Sequence, residues 1–148
     1  MISLRRAESG SDLALCAEIW LTASCEAHNF VDAAYWREHQ AAMRDYYLPA
    51  SRVRIAEKNG LAAGFSAMHE NRLEALFVSP PFWSQGVGSA LLREILASFG
   101  AVSLSVYAEN TRALNFYINH GFRLTGRSIC PHTGAEEIGM LWTRNEKR

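Results

Sequence analysis

Gly86-Val87-Gly88 stands between two kinds of apolar pattern. Before it, Leu73-Glu74-Ala75-Leu76-Phe77-Val78 is rich in strand formers and halts at Pro80-Pro81, neither of which can donate to a sheet ladder. After it, Leu91, Leu92, Ile95, Leu96 and Phe99 follow the i, i+3, i+4 spacing of a buried helix face, with Arg93, Glu94 and Ser98 on the other side. The glycines therefore fall where a helix begins. Its first amides lack intrahelical partners, the macrodipole favours negative charge there, and glycine lets an anion approach the backbone closely. The chemistry this predicts is capture of a phosphate or pyrophosphate by main chain, with a plain strand-to-helix turn as the alternative.

Two common phosphate binders do not fit. A P-loop ends in Gly-Lys-Ser/Thr, but Gly88 is followed by Ser89-Ala90. A dinucleotide fingerprint needs a third glycine where this chain has Leu91, and an acidic residue about 20 positions on in a second strand. Metal chemistry finds no ligand spacing either: there is no CxxC or HxxxH pair, and Cys130-Pro131-His132 is a poor pattern. Cys16, Cys25 and Cys130 are odd in number and far apart, which argues against a disulfide framework.

The elements that must position this turn can be read in order. The 148 residues, 49% hydrophobic and 20% charged, suit one domain spanning 1–148 with a full core. A net charge of +0 gives no footprint for nucleic acid or membrane. No apolar run approaches the roughly 18 residues of a membrane span, and the opening MISLRRAESG has no signal-peptide core, so a cytoplasmic protein is expected, monomeric or homodimeric. Ile2 to Arg6 alternates as a strand, and Ser11-Asp12 offers a cap for a helix through Leu13, Cys16, Ile19, Trp20 and Ala23. A second helical stretch runs from about Asp32 to Tyr47. Arg52 to Glu57 and Leu61 to His69 form a hairpin across Lys58-Asn59-Gly60, and a turn at Glu70-Asn71 leads into the central strand. Beyond the central helix, the strand Val102 to Tyr107 must run parallel to its predecessor, because a helical crossover joins them. Glu109 to Tyr117 reads as a short helix stopped at Gly121. Two further strands, near Phe122 to Arg127 and Glu136 to Trp142, complete a mixed α/β sheet of about seven strands, ordered β-α-α-β-β-β-α-β-α-β-β.

Leu76-Phe77-Val78-x-Pro80, then Gln85-Gly86-Val87-Gly88-Ser89-Ala90-Leu91, then Asn110-x-x-Ala113-x-x-Phe116-Tyr117-x-x-x-Gly121-Phe122, resembles the GNAT superfamily of acyl-CoA-dependent N-acyltransferases. By element order the resemblance covers nearly the whole chain; its specific motifs lie between Leu73 and Phe122. It implies acetyl-CoA as co-substrate, with no metal. It also implies that the backbone of Leu76, Phe77 and Val78 pairs with the pantetheine arm, and that Ser84, Gln85, Gly86, Val87, Gly88 and Ser89 hold the pyrophosphate. Family members often have Gln or Arg three residues before the first glycine, where this chain has Trp83. Asn110 matches an asparagine that contacts the cofactor, or it serves as a helix cap alone. Tyr117 matches the tyrosine that protonates the departing thiolate, or it packs beside Phe116.

The chemistry explains these needs. An alkylammonium has a pKa of about 10.4 in water and must lose a proton before attacking a thioester, while the thiolate leaving group gains from a nearby acid. Many relatives place a glutamate base on the fifth strand, where this chain has Ser105. Glu74 is then expected to take the role directly or through water, with its side chain on the same face as Leu76 and Val78 by the period of two; the alternative is a solvated, ion-paired or acceptor-orienting residue, with water removing the proton. The resemblance implies an acceptor groove bordered by the first two helices and the loop between them, which offer His28, Phe30, Tyr35, Trp36 and Tyr47; aromatic residues at helical spacing also build cores. The leading expectation is direct acetyl transfer to a primary amine, on a protein, peptide or small molecule, in a ternary complex. A non-catalytic acyl-CoA-binding module is the alternative, and a cysteine-dependent transferase a third, although no cysteine falls in the cofactor segments.

Overall fold

Asn59 and Gly60 reverse the chain through two left-handed residues, φ 55° and 80°, as a tight hairpin turn requires. They join β2 (Arg52–Lys58) to β3 (Leu61–His69), and a third left-handed residue, Glu70 at φ 54°, leads on to β4 (Arg72–Val78). The structure, a computed structural model, describes residues 1–144. Its seven-stranded sheet has the order β1-β2-β3-β4-β5-β7-β6, where β1 is Ile2–Arg6, β5 Ala101–Tyr107, β6 Arg123–Ile129 and β7 Glu136–Thr143. Every pair is antiparallel except β4 with β5, whose ladder consists of Arg72 opposite Ser103 before the strands part.

Helices cover both faces. The helices α1 (Gly10–Ala27) and α2 (Ala33–Ala42) press Cys16, Ile19, Trp20 and Trp36 onto Val53, Ile55, Phe65 and Ala75. On the opposite face α3 (Val87–Ser98) and α4 (Thr111–Asn119) bury Leu92, Ile95 and Tyr117 against Val102, Leu104, Ile138 and Met140. The apolar stripe read from Leu91 to Ile95 is thus the buried side of α3.

Three local readings change. Ser9, not Ser11 or Asp12, caps α1, its hydroxyl accepting from the Asp12 amide at 3.2 Å. The Asp12 carboxylate is drawn instead to the Arg5 guanidinium, at 2.9 and 3.0 Å, tying β1 to α1. The second helical stretch ends as α2 at Ala42 and widens into a π turn over Met43–Tyr47, where the Leu48 amide reaches the Met43 carbonyl at 2.9 Å and the Leu48 side chain enters the core. At β4 the register shifts: Ala67 faces Ala75, but Met68 faces Leu73, leaving Glu74 as the extra residue of a bulge.

That bulge reverses the expected direction of Glu74. Leu73 and Leu76 pack in the same cluster although three residues apart, while Ala75 and Phe77 belong to the opposite face. Glu74 lies beside Arg72, on the side away from Leu73 and Leu76, so it does not share a face with Leu76 and Val78. Strict alternation fails because a bulge adds one residue without a partner.

Candidate active site

Where β4 and β5 diverge, two cavities of about 340 and 230 Å³ open and share the walls Leu76, Phe77, Asn110, Ala113 and Tyr117. The larger runs from that junction along Leu76 to Val78 to the N-terminus of α3, bounded by Ser84, Gly86 and Ser89. Gly86 caps α3 at φ 85°, a conformation costly for residues with a Cβ, and no side chain bonds the first amides of the helix. A Cβ on Gly88 would lie 3.4 Å from the Phe116 ring and 3.6 Å from Val78, in the floor between α3 and α4. These glycines leave the first amides of α3 open as bare main chain, which is what anion capture at a helix start requires.

The turn before α3 is braced by side chains. Trp83 donates its indole N–H to the Val78 carbonyl at 2.6 Å, fixing the end of β4. Arg112 lies over the Trp83 ring at 4.4 Å and donates to the Ser84 hydroxyl at 3.0 Å. It thereby sets a guanidinium on the wall of the larger cavity, within the region expected to hold phosphates. Of the cofactor residues expected, Gln85 alone does not line this cavity; its amide is engaged with the Pro81 carbonyl at 3.1 Å.

Tyr117 borders both cavities and is 6% exposed. Burial pushes its phenol up, so it keeps its proton at neutral pH and is available as a donor. The α4 helix that carries it is anchored at its start. Asn110 Oδ1 accepts from the Ala113 amide at 3.2 Å, which leaves its Nδ2 to donate to His28 Nε2 at 3.1 Å. His28 Nε2 is therefore the acceptor, and the imidazole proton sits on Nδ1, which is buried without a partner among the described residues. Burial lowers the pKa of His28 to about 4, so the ring is neutral through the physiological range.

Five aromatic residues were expected at the acceptor groove, and the structure divides them. His28 and Trp36 line the smaller cavity, joined by Trp20 and Tyr107. Phe30, Tyr35 and Tyr47 do not. Phe30 buttresses His28 and Tyr107 edge-on, Tyr35 stacks on His39 at 4.1 Å, and Tyr47 stands exposed in the π turn. Glu74 reaches the smaller cavity from its bulge, but it is 44% exposed and lies 3.7 Å from Arg72. Arg72 also donates to the Ser105 hydroxyl at 3.1 Å. Among the lining residues not singled out as site candidates in the sequence are Arg112, Tyr107 and Glu137. Arg112 follows Asn110 by two positions and carried a signal, since a cation at the mouth of a phosphate site is a familiar pairing. Glu137 gave none, because only the lateral order of β5 and β7 brings it to the cleft.

Comparison with known proteins bears on this geometry. The model of the acetyltransferase (GNAT) domain matches residues 49–124. The chain is 34% identical over 133 residues to the peptidyl-lysine N-acetyltransferase YiaC of Escherichia coli K12, covering 89% of this chain and 91% of that one. Among solved structures, apo YjaB from Escherichia coli superposes with a TM-score of 0.84 at 26% identity, covering 96% of this chain and 97% of YjaB. The fold also matches yncA from Salmonella typhimurium, solved with its cofactor acetyl-CoA, at a TM-score of 0.69 and 15% identity over 100% of this chain and 96% of yncA.

Proposed function

Because this chain belongs to the GNAT acetyltransferase family and is an N-acetyltransferase that moves an acetyl group from acetyl-CoA to a primary amine, we propose that its acceptor is a lysine side chain of a protein or peptide. The observation that carries the reading is the smaller cavity. Its lining combines aromatic and aliphatic side chains with the carboxylates of Glu74 and Glu137, and it meets the larger cavity at Tyr117. A lysine brings four methylenes for such side chains and an ammonium for such carboxylates. Its relative YiaC, named as acting on peptidyl lysine, supports the same choice.

In this reading Leu76 to Val78 and the Gly86 to Ser89 cradle hold acetyl-CoA, with Arg112 countering phosphate charge. The thioester then lies at the shared wall, where Tyr117 gives its phenolic proton to the departing sulfur. Asn110 positions α4 through its cap and its bond to His28. Glu74, already beside Arg72, orients the incoming ammonium. The proposal includes a reducing, cytoplasmic setting, supported by three cysteines that remain free.

A panel of amines assayed with acetyl-CoA, with free thiol and product mass as readouts, tests the acceptor. Lysine-containing peptides blocked at the N-terminus should be acetylated on the ε-nitrogen. Transfer confined to α-amines or small polyamines would overturn the lysine assignment.

A further inference from the structure

We propose that Glu137 is the base that receives the proton of the acceptor amine; the inference rests on reading the smaller cavity as the amine site. On the β5–β7 ladder Ser105 faces Gly139 and Tyr107 faces Glu137, so these four residues share one face of the sheet. Ser105, Tyr107 and Glu137 all line the smaller cavity. Diagonal neighbours on such a pair lie about 7–8 Å apart, within reach of a long side chain. Glu137 therefore projects a carboxylate towards the space in front of Ser105, which has none of its own.

The two carboxylates of this cavity are not equivalent. Glu74 lies in the field of Arg72, which also binds Ser105, so its charge is partly countered before any amine arrives. Glu137 is half-buried, and among the described residues no ion pair or side-chain hydrogen bond holds its carboxylate. An entering ammonium therefore meets a carboxylate that no cation has yet countered, and places its own proton on that carboxylate's path. Glu137 shares its cavity with Tyr107 on β5, Glu74 on β4 and His28 at the C-cap of α1, and has Ser128 opposite it on β6; Cys130 lies behind Tyr107 at 3.7 Å from its hydroxyl, and Arg72 reaches Ser105. Burial raises the Tyr107 phenol and keeps His28 neutral, so neither competes for the proton at neutral pH.

The proton balance closes. Of the three protons on the ammonium, one passes to Glu137 and on to solvent, and one remains on the amide. The third is released as the N–C bond forms and the C–S bond breaks, and it makes good the proton that Tyr117 gives to sulfur. No oxidant, metal or further reactant is needed.

The test is the pH dependence of kcat/KM with a lysine peptide, for the parent, Glu137→Gln, Glu74→Gln and the double variant Glu137→Gln/Ser105→Glu. Glu137→Gln should lower kcat by about 10²-fold or more and move the lower limb of the profile up to the free amine's own pKa of about 10.4, with calorimetric binding of acetyl-CoA retained. Glu74→Gln should raise KM and keep the lower limb. The double variant, which restores a carboxylate to the same space from β5, should recover about tenfold of the lost rate and the limb with it. A lower limb left at the parent's position in Glu137→Gln, or displaced in Glu74→Gln, would overturn the assignment. Should Glu137→Gln fail to fold, Glu137→Asp carries the test: reduced kcat with the limb retained is expected, and unchanged kcat would refute it. A parent that acetylates no lysine peptide overturns the lysine reading and the base together, whereas a parent that does so with an unaffected Glu137→Gln overturns the base alone.

Discussion

A single oxygen carries the role assigned to Tyr117. Tyr117→Phe keeps the ring among Phe116 and Phe122, which pack on it edge-on at 5.1 and 5.3 Å, and removes only the proton donor. Turnover should fall by roughly 10²–10⁴-fold while acetyl-CoA affinity, read by calorimetry, stays near the parent's. Near-normal turnover would take Tyr117 out of the mechanism. His28 makes a different prediction, on stability. Its pKa is about 4 in the folded chain against 6.5 unfolded, so as pH falls the unfolded chain takes up the proton first. The stability from burying the neutral ring is complete above about pH 6.5 and is lost as pH drops towards about 4, on the order of 3 kcal/mol in all. Thermal unfolding followed across that window should show a falling midpoint for the parent and a flatter curve for His28→Gln. Equal slopes would place the titration elsewhere.

Among the elements, the strand-turn-helix from β4 to α3 does most to build the site, and two glycines expose it to test. Gly88→Glu would put a side chain and a negative charge into the cradle, and acetyl-CoA affinity should drop about tenfold or more, a loss of at least about 1.4 kcal/mol. Undiminished binding in a folded variant would move the phosphate site elsewhere. At Gly64 a Cβ would come 2.7 Å from the Phe77 carbonyl oxygen, so Gly64→Ala must push β3 away from β4, at a cost of about 1–3 kcal/mol in a denaturant titration. An unchanged midpoint would show that the strand pair yields freely. Much of this level was legible in the sequence, because Gly86, the prolines after Val78 and the Asn59-Gly60 turn act through their own backbone conformations. Long-range effects were not. The bulge that turns Glu74 away depends on the register of β3, and the placement of Glu137 depends on β7 inserting between β5 and β6. The π turn that carries Tyr47 to the surface depends on Leu48 finding the core.

At the scale of the whole molecule, two cavities meet at Tyr117 because β4 and β5 separate after one ladder pair, and we propose that one takes the cofactor and the other the acceptor. We read that junction as the place of direct transfer in a ternary complex, with both reactants present together. The central measurement is calorimetric binding of a bisubstrate conjugate, in which a lysine peptide is joined through its ε-nitrogen by an acetyl bridge to the sulfur of CoA. If both cavities are used at once, the second contact is intramolecular, and the conjugate should bind about 10²–10⁴-fold more tightly than CoA, with the gain lost when the lysine is replaced by a short amine. A conjugate that binds no better than CoA would contradict the account, for it would mean that the two cavities do not serve one reaction.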